Sequence, residues 1–138
     1  MKDHKMKKKI DRKWQFILLI VAVISCSLAI FTYQMRRFEQ KADPVVLNDY
    51  PNKTIVFYRD DCSECRQLFP LLYIHNFINN DLVFVNMNQP FNRQYIQKYD
   101  LKSVPTVVRK DKKYVGNELK KLFHYFKYEV KNGGGISG

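Results

Sequence analysis

The sequence predicts an α/β domain, a central mixed sheet with flanking helices, behind one N-terminal transmembrane helix. Three observations predict it. Trp14 to Tyr33 is a run of twenty residues without a charge. Beyond it, short β-branched and aromatic runs alternate with segments of helical period. Cys62 and Cys65 stand three residues apart where one such run meets such a segment.

At 138 residues the chain has room for one modest domain, and 46% hydrophobic content with ten Phe and nine Tyr is enough for a packed core. The formal charge is +11. Seven of the 24 basic residues precede Trp14, and the others are scattered without an Arg/Lys-rich helix or a nucleic-acid motif. No nucleic-acid partner is expected. Three cysteines are too few for a secreted disulfide framework, and Cys26 lies inside the apolar run as an ordinary small apolar residue.

Residues 1–13 form a basic N-terminus, expected in the cytoplasm, and residues 14–33 a membrane anchor. Twenty residues is about the length a helix needs to cross ~30 Å of hydrocarbon. Lys2, Lys5, Lys7, Lys8, Lys9, Arg12 and Lys13 outweigh Arg36, Arg37 and Lys41 on the far side. That bias puts the N-terminus inside the cell and everything after Tyr33 outside. A cleaved signal peptide competes with this reading, as does a lipoprotein-like box at Val23-Ile24-Ser25-Cys26. No small-x-small site follows the run, and cleavage before Cys26 would strand the apolar stretch through Phe31 where a polar tether belongs. An uncleaved anchor is therefore expected.

Residues 34–52, polar and punctuated by Pro44 and Pro51, read as a stalk in which Val45-Val46-Leu47 suggests a short edge strand. Thr54 to Tyr58 suits a buried strand. From Cys62 to about Phe77, helical spacing of Leu68, Leu71, Leu72 and Phe77 predicts a helix that Pro70 kinks rather than ends. Leu82 to Met87 is a second strand and Asn92 to Tyr99 a short helix. Thr106 to Arg109 and Lys113 to Val115 read as a hairpin turning near 110–112. Asn117 is expected to cap a last helix with Leu119, Leu122, Phe123, Phe126 and Val130 on one side. The domain thus occupies 53–130, and residues 131–138 read as a flexible tail. The order β-α-β-α-β-β-α implies a mixed sheet, because a parallel crossover needs a helix to return the chain.

A lone C-x-x-C can be half a zinc site, a structural disulfide or a redox dithiol. Zinc wants four ligands, and His75 and His124, outside the membrane run, show no paired ligand spacing. A disulfide closing so small a loop restricts the unfolded chain little. The redox reading has a positive case. Where strand meets helix, unpaired N–H groups and the helix dipole stabilise a thiolate at Cys62, and Cys65 lies one turn on, near enough to displace a mixed disulfide.

From about Lys53 to Val130 the chain resembles the thioredoxin superfamily. The resemblance rests on the strand TIVFY entering the C-x-x-C, on Pro70 five residues after Cys65, on Lys98 to Thr106 leading into Val104-Pro105, and on Val115-Gly116. It implies Cys62 as exposed nucleophile, Cys65 as resolving thiol, Val104 as backbone partner for an extended substrate and Pro105 as a cis proline beside the disulfide. Ser63 and Glu64 replace the usual Gly-Pro between the cysteines and would tune the redox pair. Val56 stands where the family carries a buried aspartate, Asp61 where it carries tryptophan, and its first strand and helix are largely missing.

The expected activity is thiol–disulfide exchange on exported proteins or peptides, with the Cys62–Cys65 disulfide as redox group and no other cofactor or metal. The expected partners are the thiol-bearing substrate, the membrane, and a membrane redox partner or a small-molecule thiol or oxidant. Oxidation of substrate thiols is the expected direction, and the layout is similar to small anchored accessory proteins of bacteriocin export. A tethered reductase, such as one serving cytochrome maturation, and a non-catalytic binding module of an export system are the alternatives. Arg59, Asp60 and Asp61 are expected to form a solvated loop, and His75 and His124 to be structural or surface residues.

Overall fold

The computed structural model describes residues 12–133, with side chains as far as residue 128. Most of the expected basic N-terminus, the side chain of Val130 and residues 134–138 lie outside the described residues. The chain divides into two compact units, Met1–Arg37 and Phe38–Gly138.

Helix α1 spans Arg12–Glu39 and is long and apolar enough to cross a membrane. Its 28 residues extend about 42 Å, more than the ~30 Å of a hydrocarbon core. Hydroxyls inside the apolar run are satisfied by the helix itself. Ser27 Oγ donates to the Val23 carbonyl at 2.8 Å and Thr32 Oγ1 to that of Leu28 at 2.9 Å, so neither needs water. The Arg37 guanidinium lies 5.9 Å from the centre of the Tyr33 ring. The helix carries on through Gln34–Glu39, the first residues of the expected stalk.

The second unit is built on a four-stranded sheet of order β2-β1-β3-β4, with β1 Thr54–Tyr58, β2 Leu82–Asn86, β3 Thr106–Arg109 and β4 Lys112–Val115. β1 runs parallel to β2, with Thr54 opposite Leu82, and antiparallel to β3, with Val56 opposite Val107. As one of the two inner strands, β1 is buried along its whole length, which is why TIVFY shows no polar alternation. Ile55 and Phe57 pack on one face with Val83, Val85, Val108, Tyr95 and Leu47. Val56 and Val107 pack on the other with Leu68, Leu72, Leu122 and Phe126. Burial of each such side chain is worth about 1.5–3 kcal/mol.

Helix α2, Ser63–Asn79, covers the second face and continues through Pro70, which deprives the helix of one N–H donor without ending it. Phe77, which helical spacing assigned to the core, is 79% exposed, whereas Phe69 is 1% exposed and packs against Tyr58 and Phe84. The chain leaves α2 through Asn80 at φ 48°, a left-handed cap that asparagine tolerates. A 3-10 turn, Pro90–Gln94, runs into the short α3, Tyr95–Lys98. The hairpin turns at Lys110, at φ 50°.

The last helix, α4, is Leu119–Gly133, so it reaches into the expected flexible tail. Asn117 does not cap it through position. The Glu118 carbonyl accepts from Leu122 N–H at 3.0 Å, and Asn117 Nδ2 donates across to Gln67 Oε1 at 3.2 Å. Leu122 and Phe126 are buried, whereas Leu119 and Phe123 are exposed at 48% and 56%. The buried stripe of α4 is therefore narrower than expected, formed by Leu122 and Phe126 on successive turns, with Leu119 and Phe123 beside it in solvent.

Val45-Val46-Leu47 forms no edge strand. A 3-10 turn at Leu47–Asp49 follows, and the segment is held by side chains from the 3-10 and α3 region. Tyr95 Oη donates to the Val45 carbonyl at 2.7 Å and accepts from Leu47 N–H at 3.1 Å. Asn92, fully buried, accepts from Val45 N–H at 2.9 Å and donates to the Asp43 carbonyl at 3.0 Å. These bonds replace the ladder a strand would have supplied.

Candidate active site

Cys62 is the N-cap of α2, in extended conformation at φ −91° and ψ 121°. Its Sγ accepts from the Cys65 backbone N–H at 3.4 Å, so sulfur occupies the place a Ser or Asp oxygen takes at other helix starts. The unpaired N–H groups of the first turn and the positive end of the helix dipole lie at this position. Cys62 is half-buried and Cys65 is 2% exposed, and both are free thiols.

Burial pushes the Cys65 thiol up to about 12, helped by its interaction with Cys62 and the charge of Glu64 and opposed by the Arg59 backbone N–H. Cys65 therefore holds its proton at neutral pH while Cys62 faces solvent at the helix start. Ser63 and Glu64 lie between them, exposed in the first turn.

The loop ahead of β3 supplies the opposite wall. The Val104 carbonyl accepts from Cys62 Sγ at 3.8 Å, and the Val104–Pro105 peptide bond is cis. Pro105 is buried, and its carbonyl accepts from Gly116 N–H at 3.1 Å. Gly116 has φ 121°, a conformation that a side chain rarely adopts, which explains glycine between β4 and α4. Thr106 Oγ1 donates to the Ser103 carbonyl at 2.6 Å and braces the same loop. Val104 and Cys62, 42 positions apart in sequence, thus share one cleft.

The Arg59-Asp60-Asp61 loop is more organised than a solvated loop. Asp60 Oδ1 accepts from Asn86 Nδ2 at 3.3 Å and from Asn88 Nδ2, while Arg66 Nε donates to the Asp60 carbonyl at 3.0 Å. Arg59 grips Asp61 through Nε at 2.9 Å and Nη2 at 2.5 Å, which with Asn88 holds the Asp61 carboxyl below its usual range. The clue in sequence was Asn86 and Asn88 at the end of β2. The parallel register that sets Asn86 beside Tyr58 is needed to read it.

His75 Nε2 lies 3.0 Å from Asp81 Oδ1, and its ring stacks on Phe126 at 4.5 Å, tying α2 to α4 away from the cysteines. His124 sits on the outer face of α4 near Tyr128. Among the described residues no group of three or more His, Cys, Asp or Glu converges as metal ligands do.

The parallel β1/β2 pair, the antiparallel β3/β4 hairpin, the C-x-x-C at the head of α2 and the cis proline opposite it are now in place. The fold is thioredoxin-like. No family model and no curated protein matches the chain. Solved structures similar to it include Fasciola hepatica thioredoxin, 22% identical over 59% of this chain and 86% of that one, with TM-score 0.49. Chlamydomonas reinhardtii thioredoxin f2 is 24% identical over 66% and 83%, also at 0.49. Arabidopsis thaliana thioredoxin O1 is 19% identical over 59% and 79%, at 0.48. Chemically, an accessible sulfur at a helix N-terminus above a buried thiol can form a mixed disulfide and then resolve it.

Proposed function

We propose that this chain is a membrane-anchored thiol–disulfide oxidoreductase acting outside the cytoplasm on exported proteins or peptides. The observation that carries it is Cys62 Sγ at the head of α2, open to the cleft under the Val104 carbonyl, with Cys65 buried one turn behind. In the oxidising direction, a substrate thiolate attacks Cys62 of the Cys62–Cys65 disulfide. The S–S bond breaks, and Cys65 leaves with the electron pair and takes up a proton. A second substrate thiolate then attacks the substrate sulfur of the mixed disulfide. Cys62 is released as thiolate, the substrate is oxidised by two electrons and the protein reduced by two. A membrane redox partner or a small-molecule oxidant restores the disulfide. An exported bacteriocin-like peptide is a substrate of this kind.

Oxidation is favoured by the proposed compartment, where disulfides persist. One observation favours the opposite direction. A thiol pushed up to about 12 is a poor leaving group, and burial of Cys65 therefore slows attack on the disulfide and suits a tethered reductase. Equilibration with glutathione buffer separates the two. The expected result is a potential less negative than the about −270 mV of thioredoxin, and a value at or below it would make the reductase the better account.

A further inference from the structure

We propose that the pocket beside Cys62 receives an acidic side chain lying within two residues of the reacting cysteine of an extended peptide substrate, and that Arg93 is its partner. The proposal rests on the thiol-exchange function and names the substrate that function prefers.

The pocket encloses about 410 Å³ and opens from Val104, whose carbonyl is 3.8 Å from Cys62 Sγ. A peptide whose sulfur meets Cys62 and whose backbone lies along Val104 places a neighbouring side chain over this opening. Met87, Ile96, Leu101 and Val104 provide an apolar floor for a side-chain stem. The remaining walls carry Arg59, Arg93 and Lys102, and no carboxylate lines the pocket.

Two of those cations are already neutralised from within the chain. Arg59 is paired with Asp61 at 2.5 Å, and Lys102 with Asp100 at 2.6 Å. Arg93 differs. Its Nε donates to the carbonyl of Met87, which also lines the pocket, at 3.4 Å, a neutral acceptor, and among the described residues it has no carboxylate partner. An apolar floor beneath one unneutralised guanidinium fits the stem and carboxylate of a glutamate or aspartate, since guanidinium–carboxylate bonds are charge-assisted and directional. A lysine side chain would meet the unneutralised Arg93 guanidinium and be disfavoured. Arg93 is solvent-exposed, so the preference is modest and salt-sensitive.

The test uses the oxidised full-length chain in detergent micelles and a set of single-cysteine peptides, identical except for Glu, Gln or Lys two residues from the cysteine. Single-turnover exchange is expected to run about threefold or more faster with Glu than with Gln, slowest with Lys, and to lose the difference at high salt. Arg93→Gln should erase the Glu-over-Gln ratio, Arg93→Lys should keep part of it, and Arg93→Glu should turn the preference toward Lys. Each ratio is taken within one variant, so partial loss of folded protein does not imitate the effect. Equal rates for Glu and Gln in the unmodified chain, or a preference that survives Arg93→Gln, would overturn the proposal. Exchange of the unmodified chain with dithiothreitol, which is uncharged, tests the redox function separately. Should that exchange be absent, affinities for the same peptides with serine in place of cysteine decide the pocket: tighter binding of Glu than Gln supports it, and equal binding overturns it.

Discussion

Cys62 and Cys65 differ in access by the thickness of one helical turn, and that difference sets their chemistry. Cys65 is 2% exposed, so only Cys62 can meet a protein thiol. In pull-downs from the source cells, Cys65→Ser is expected to accumulate mixed disulfides through Cys62, seen on non-reducing gels, and Cys62→Ser none. Equal trapping by both variants would reverse the roles. The same burial couples Cys65 to stability. A free thiol ionises near about 8.5, while the folded Cys65 holds its proton to about 12. Below the first value both states are protonated and pH has no effect through this group. Between the two, the unfolded chain has released the proton and the native chain has not, so stability falls as pH rises, by at most about 1.4 kcal/mol per unit. Urea melts of the reduced protein against pH should show this slope, and Cys65→Ala should be flatter across the same window. Parallel slopes would mean that the thiol is not perturbed.

Among the elements, the segment between α1 and β1 depends most on distant partners. It has neither ladder nor helix across Asp43–Val46, and its backbone groups bond instead to Asn92 and Tyr95. Tyr95→Phe removes one donor and one acceptor while keeping the ring that packs near Phe57 and Tyr99. The expected cost is about 1–3 kcal/mol, because the Leu47 N–H is left buried and unpaired. Faster hydrogen exchange at Leu47 with little change in the sheet would show that the tyrosine holds this segment. An unchanged exchange rate at Leu47 would show that Asn92 suffices. The neighbouring loop 59–61 is held similarly by Asn86 and Asn88, so β2 indirectly positions the approach to Cys62.

On the scale of the whole chain, one apolar helix and one redox domain are joined in sequence, and their value to each other depends on which side of a membrane the domain occupies. The basic flank before Trp14 favours a cytoplasmic N-terminus. In intact cells or protoplasts, a membrane-impermeant thiol reagent should label reduced Cys62, while Cys65 stays protected by burial. Labelling that requires lysis would place the domain in the cytoplasm and remove the proposed role on exported substrates.

The sequence by itself determined the features that are local. The charge-free run lies within one continuous helix, long and apolar enough to cross a membrane. β1 and β3 appeared where β-branched runs lie, and the cysteines fell at the head of α2 because the apolar period changes from strand-like to helical there. Burial and long-range pairing were decided by tertiary structure. Helical spacing marked Phe77, Leu119 and Phe123 as core, yet Phe77 lies near the end of α2, and Leu119 and Phe123 lie on α4 beside the Leu122–Phe126 stripe that meets the core, so all three are exposed while Phe69 packs inside. Val45-Val46-Leu47 has strand composition but joins neither edge strand, β2 nor β4, because Tyr95 claims its backbone from 50 positions away. The cleft followed the same rule. Both cysteines were legible as a motif, but the Val104 carbonyl comes to Cys62 from the loop ahead of β3, Asn86 and Asn88 anchor Asp60 from the end of β2, and Arg93 lines the adjoining pocket from the 3-10 turn. Which strand ends meet is set by the β2-β1-β3-β4 order, a property of the packed sheet that no local stretch of residues contains.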